Sequence, residues 1–226
     1  MNLLHKLLDI STNDTVAIIG SGGKTTLLWK LAQERKNTGA FVTTSTHIMK
    51  PTESECDIFL SPENNDFIPI TYGKVTSALY ANKENKCIGI SEELFVNLTN
   101  SNVPILYEAD GSKRMPAKLH NESEPVIYPN TDIVVLVIGL SALGKPVKDV
   151  CHRYNLNKNF NPDDIFSVKH LIYCIEDGIK SANMPLNKIR ILFNQLDLIE
   201  NKDVIHSLCE SLEYPFVSCS ILKNYI

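Results

Sequence analysis

Apolar residues in this chain gather into short unbroken runs separated by stretches of helical spacing. Thr15–Ile19, Ala40–Thr44, Val103–Glu108, Asp132–Ile138, Ile189–Phe193 and Phe216–Ser218 read as strands. Several are continuously apolar, the pattern of strands covered on both faces. Between them, Thr25–Asn37, Ser91–Asn100, Pro162–Lys180 and Asn201–Leu212 carry helical periodicity, the first stopping before Gly39. Strands alternating with helices predict an α/β fold with a mainly parallel sheet flanked by helices. Val75–Tyr80 and Lys86–Ile90, separated by Ala-Asn-Lys-Glu-Asn, predict a small β-hairpin inserted within residues 66–90. Residues 1–10 predict an amphipathic first helix and not a signal peptide, because Lys6 interrupts the apolar stretch and no small-residue cleavage site follows. No repeat, low-complexity tract or long linker divides the chain, so residues 1–226 are expected to form a single domain.

Composition narrows the function classes. A chain of 226 residues can bury roughly three quarters of its unfolded surface, so its core needs no metal or disulfide staple. Hydrophobic residues at 43% and charged ones at 21% exclude a disordered or coiled-coil protein. The net charge of −4 gives no general attraction to nucleic acid, so none is expected as a partner. The longest apolar run, Ile133–Leu140, is too short to cross a bilayer, and no membrane partner is expected. Six cysteines without a Cys-x-x-Cys pair argue against zinc and against a secreted disulfide framework, which points to a reduced, cytoplasmic compartment.

The most informative stretch follows the first strand: Gly20-Ser21-Gly22-Gly23-Lys24-Thr25-Thr26, leading into a helix. Glycines let backbone N–H groups approach phosphate oxygens without a Cβ in the way. The helix that follows points its free N–H groups and positive dipole end to the same place. Lys24 suits the terminal phosphates, and the Thr25 hydroxyl suits the shell of a Mg²⁺ ion. The long form of this motif has glycine at position 18, where the chain has Ile18, so only the shorter Gly-x-x-Gly-Lys-Thr form is present. Chance supplies about 0.005 such patterns in a chain of this composition, and a P-loop NTPase-like fold is therefore expected.

Such a loop needs carboxylates on a neighbouring strand. Glu108 and Asp110 supply them at the carboxyl end of Val103–Glu108, the edge where ligands sit in open parallel sheets. The expectation is that Asp110 serves the Mg²⁺ shell and Glu108 orients or deprotonates the nucleophile, giving Lys24, Glu108 and Asp110 as the catalytic set. Thr44, Thr46 and His47 end the second strand and are candidates for the γ-phosphate or a second substrate, as are Lys113 and Arg114.

Asn194-Gln-Leu-Asp197 resembles the Asn-Lys-x-Asp element of GTPases, whose aspartate accepts from guanine, and Ser218 follows where GTPases place a base-contacting loop. Gln195 replaces the lysine, and Asn-x-x-Asp arises about once per chain by chance. Both ATP and GTP therefore stay open as cofactors beside Mg²⁺.

Taken together, Gly20-Ser-Gly-Gly-Lys-Thr-Thr, Thr43-Thr-Ser-Thr-His-Ile, Glu108-Ala-Asp-Gly-Ser-Lys-Arg, Glu124-Pro-Val-Ile, Gly139-Leu-Ser-Ala-Leu-Gly-Lys-Pro and His152-Arg153 resemble the YqeC-like proteins over roughly residues 15 to 200. Ser45 and Ser112 stand where that family more often has threonine and alanine. The resemblance implies an accessory factor for selenium-dependent molybdenum hydroxylases, with such a hydroxylase or its cofactor as partner. It also draws attention to His152 and Arg153 as candidates to hold an anionic second substrate, since arginine forks onto phosphate or carboxylate oxygens, and to Glu122 and Glu124 for the same region. The shortened glycine loop also resembles that of Mur-type ligases. Three functions follow as expectations: a slow Mg²⁺-dependent nucleoside triphosphatase serving cofactor-enzyme maturation, an ATP-dependent small-molecule kinase or Mur-like ligase, and a nucleotide sensor that does not hydrolyse.

Overall fold

The computed structural model describes residues 3–61, 71–81, 86–199, 203–212 and 214–223. In chain order the elements are α1 (Leu4–Leu7), β1 (Val16–Gly20), α2 (Lys24–Glu34), β2 (Ala40–Thr44), β3 (His47–Met49), β4 (Ile58–Leu60), β5 (Val75–Ala78), β6 (Tyr80–Ala81), β7 (Lys86–Ile88), α3 (Glu92–Asn100), β8 (Ile105–Glu108), β9 (Ala117–Lys118), β10 (Ile133–Gly139), α4 (Val147–Val150), β11 (Cys151–His152), α5 (Val168–Ala182), β12 (Ile189–Asn194), α6 (Asp203–Ser211) and β13 (Phe216–Ser218). Eight strands form the main sheet in the order β13-β12-β10-β1-β8-β2-β5-β4. The pairs β1–β8, β2–β8, β2–β5, β4–β5, β10–β12 and β12–β13 are all parallel. This is the α/β architecture expected from the alternation of apolar runs and helical spacing, and every residue of β1, β2 and β10 is buried, as continuous apolar runs demand.

The chain contacts divide it into two compact units. The first comprises Met1–Ile18, Thr25–Asp110 and Val126–Ile133. Here Phe95 of α3 stands edge-on to Tyr107 of β8 and to Tyr128, and the Tyr107 hydroxyl is hydrogen-bonded to Thr131 at 2.8 Å. Glu34 at the end of α2 accepts from the Leu4 and His5 amides and pairs with the His5 ring, which seats α1. The buried Arg35 guanidinium donates to the Asp14 and Ser11 carbonyls.

The second unit comprises Ile19–Lys24, Gly111–Pro125 and Val134–Ile226. Its core lies on β10 and β12. A Cβ at Gly178 of α5 would fall 2.6 Å from Leu136, so that helix packs tightly on β10. β9 and β11 form a two-stranded parallel ribbon in which His152 lies opposite Lys118.

Four expectations change. β5 is a strand of the main sheet, parallel to β2, and not an arm of an inserted hairpin. The antiparallel pair is β6 with β7, and β3 adds a third strand to it; residues 66–70 and 82–85 of the expected insertion lie outside the described residues. The helix expected from Pro162 starts at Val168, because residues 164–166 are hydrogen-bonded to the 144–147 segment and Ser167 caps the helix with His170. The first helix is only Leu4–Leu7, ending at Leu8 before Asp9, whose φ is 48°.

Candidate functional site

In the second unit, the turn after β1 is shaped by its neighbours. The Ser21 amide donates to the Val137 carbonyl at 2.8 Å, and the Ser21 hydroxyl donates to the Met115 carbonyl. Gly22 has φ 86°, and a Cβ on it would sit 2.4 Å from the Gly139 backbone and 2.8 Å from the Pro116 carbonyl. Gly23 has φ 129°, and its Cβ would strike the Asn194 amide at 2.2 Å. Only glycine meets both the left-handed backbone and the close approach. The Lys24 side chain is buried, and its ammonium donates back to the Gly20 carbonyl at 2.8 Å.

Asn194 explains part of this geometry. Its Nδ2 donates to the Gly22 carbonyl at 2.9 Å, and its Oδ1 accepts from the Ile221 amide at 3.0 Å. A side chain so engaged fixes the glycine turn to the segment after β13. Of the other residues expected to read the base, Asp197 is exposed, and Ser218 is half-buried opposite Phe193 in the register of β12 and β13. Gln195, with φ 67°, turns its amide oxygen to the Ser141 hydroxyl at 2.6 Å.

In the first unit, the end of β8 carries the acids. Glu108 lies opposite Thr44 of β2 and Ile18 of β1, and both Glu108 and Asp110 are buried. The Thr25 hydroxyl donates to Glu108 Oε2 at 2.8 Å, so it is Glu108 that the fold brings to Thr25. Thr26 follows on α2, half-buried. The Thr44 hydroxyl donates to the Glu108 carbonyl at 2.7 Å and accepts from the Thr46 amide at 3.1 Å. Thr46 Oγ1 is buried with no hydrogen-bond partner among the described residues. His47 is exposed on β3.

The second unit also gathers basic residues that the sequence scattered. Lys118 Nζ donates to the Gly111 carbonyl at 2.7 Å and to Glu124 Oε2 at 2.9 Å, and Arg153 donates to the same oxygen. Burial alone pushes the Glu124 carboxyl up, but hydrogen bonds from Arg153 and Lys118 hold it below the usual carboxylate range. His152 is lowered to about 4, first by burial and then by the positive charges of Arg153, Lys118 and Lys113, so its ring is neutral near pH 7. Lys113 and Arg114 are exposed, and so is Glu122. Sequence reasoning passed over Lys118: one lysine in Pro116-Ala-Lys-Leu-His120 carries no motif, and its burial shows only in the fold. A second pair it passed over is His120 with Asp177, joined at 2.8 Å by ring and backbone amide alike.

A family model described as "YqeC protein" matches residues 16–155. The chain is 27% identical over 215 residues to the "Uncharacterized protein YqeC" of Escherichia coli (strain K12), an alignment covering 88% of this chain and 82% of that relative. No helix among the described residues is long and apolar enough to cross a membrane.

Proposed function

The chain belongs to the YqeC family, and from that premise we propose that it binds and slowly hydrolyses a nucleoside triphosphate with Mg²⁺, as an accessory factor in the maturation of a selenium- and molybdenum-dependent hydroxylase. The observation that carries the nucleotide reading is the turn itself: two positive-φ glycines, Gly22 and Gly23, lead directly into α2 at Lys24. A helix N-terminus entered through such a turn presents backbone N–H groups and its positive dipole end to an anion. The maturation role rests on the family resemblance.

The donor set near Thr25 fits magnesium, which takes hard oxygen ligands. The Thr25 hydroxyl and the buried Glu108 carboxylate, 2.8 Å apart, would hold the ion, directly or through water. Bound there, magnesium would neutralise charge on the phosphate oxygens. This reading moves the metal carboxylate from Asp110 to Glu108 and gives Asp110, two residues on, the orientation of the attacking water. Lys24 would turn from the Gly20 carbonyl toward the β- and γ-phosphates, whose charged oxygens make strong acceptors. Asn194 then acts as the brace of the turn, leaving the base to Asp197 and to the segment after β13.

A second reading, phosphoryl transfer or ligation to a small acceptor, is favoured by the basic cluster of Lys118 and Arg153 around Glu124. Both readings require triphosphate binding. A thermal-unfolding panel of ATP, GTP, CTP and UTP with and without Mg²⁺ tests that requirement. A ligand at 100 times its Kd adds about 2.7 kcal/mol, which raises the Tm of a chain this size by roughly 5–10 °C. One purine nucleotide should give that rise only with Mg²⁺. No rise with any of the four removes the proposal.

A further inference from the structure

Lys118 is an expensive residue to bury, since an ammonium loses its hydration and must be compensated by good partners. Its side chain is 1% exposed, against 17% for Glu124 and 24% for Arg153. A single oxygen, Glu124 Oε2, serves both cations. The two cations that bond Glu124 also act on His152, which sits opposite Lys118 on the β9–β11 ribbon. The backbone adds an independent sign. Lys113, Arg114 and Arg153 have φ of 49°, 62° and 62°, a left-handed conformation uncommon for residues other than glycine. Strain of this kind gathers where side chains are aimed at ligands. A structural ion pair needs neither the extra cation nor the strained backbone, and apolar packing often replaces it without loss.

We propose that Lys118 and Arg153 form a binding site for a small, doubly charged oxyanion group of the phosphate type, which takes the place of the Glu124 carboxylate between them. The guanidinium fork of Arg153 matches the oxygens of such a group, and Lys118 supplies a fixed point charge. Glu124 is the resident stand-in: one carboxylate oxygen shared by two cations, partly exposed and therefore able to leave. A dianion satisfies the same donors with twice the charge. His152, neutral near pH 7 and opposite Lys118 on the β9–β11 ribbon, adds a hydrogen-bonding group without adding charge. This site uses none of the residues of the glycine turn and does not depend on the nucleotide reading.

Calorimetric titration of the full chain with inorganic phosphate, at constant ionic strength, tests the proposal. Acetate serves as the singly charged comparison, and the Lys24→Ala chain removes any contribution from the glycine turn. Saturable phosphate binding should persist in Lys24→Ala, weaken at least tenfold in Arg153→Ala, and tighten at least threefold in Glu124→Gln, where a neutral amide no longer competes. Acetate should bind at least tenfold more weakly than phosphate. Phosphate affinity indifferent to both Arg153→Ala and Glu124→Gln, or lost with Lys24→Ala, overturns the site. Acetate binding as tightly as phosphate overturns the double-charge requirement. Should Arg153→Ala fail to fold, Glu124→Gln decides alone, with unchanged affinity counting against the proposal. Failure of the nucleotide reading would show instead in the triphosphate panel, with these phosphate results intact.

Discussion

The Lys24→Ala chain is expected to release phosphate from Mg·ATP or Mg·GTP at least 10²-fold more slowly than the parent, near the detection limit, while remaining folded. The magnitude follows from the general cost of removing one preorganised charge stabiliser from a reacting centre, about 10² to 10³ in rate. Lys24 is the first residue of α2, and its ammonium is held by the Gly20 carbonyl. In the proposed mechanism that ammonium has no substitute, because the other groups of the turn are backbone donors with partial charges. Alanine is a good helix former, so the start of α2 tolerates the change. Far-ultraviolet circular dichroism and thermal unfolding establish that the chain is intact, and a coupled phosphate-release assay reads the rate. Turnover equal to that of the parent would remove Lys24 from the mechanism and with it the assignment of the turn as a phosphate cradle.

The second large effect concerns stability. Gly22→Ala is expected to destabilise the fold by about 3–5 kcal/mol, the sum of a strained backbone at 1–3 kcal/mol and a steric clash of similar size. The clash cannot be relieved by a rotamer change, because the atoms 2.4 Å from the new Cβ are the Gly139 Cα and N. For a chain of this size each kcal/mol shifts the Tm by about 2–4 °C, so a fall of roughly 6–20 °C should appear in calorimetry. Gly73→Ala separates the two contributions. Gly73 also has a positive φ, 74°, but no atom of the described residues lies within 4 Å of the position its Cβ would take. It should cost about 1 kcal/mol, the strain alone. Equal effects at the two positions would show that the approach of the turn to Gly139 is not tight in solution.

The elements legible in the sequence are those whose environment demands a continuous signal. β1, β2, β10 and β12 are buried almost throughout, so their sequences are unbroken apolar runs with few alternative readings. β5 is equally buried, yet Val75-Thr-Ser-Ala78 looks polar, and its pairing beside β2 could not be read from it. Two- and three-residue strands such as β3, β9 and β11 are too short to carry any period. The late start of α5 shows a local signal losing to a tertiary one. Pro162 is an acceptable helix start, but Phe166 donates to the Lys145 carbonyl and accepts from the Gly144 amide, which holds the preceding segment extended.

The site divides in the same way. The glycine turn and the acidic end of β8 are local motifs and were visible as spacing. The partnerships were not. Thr25 with Glu108 spans 83 residues, Asn194 with Gly22 spans 172, and Lys118 and Arg153 are brought together on the Glu124 carboxylate. Asn194 illustrates the limit most clearly: the spacing of Asn-x-x-Asp carries no sign of the hydrogen bonds its side chain makes to the Gly22 carbonyl and the Ile221 amide.

The most direct measurement of the central claim is an amide-resolved NMR titration of the ¹⁵N-labelled chain with Mg·ATP and Mg·GTP. The account predicts saturable shifts at the amides of Gly22, Gly23, Lys24 and Thr25 with one of the two nucleotides, absent in Lys24→Ala. Saturation with those four resonances unmoved, or no saturable shift anywhere, would contradict it.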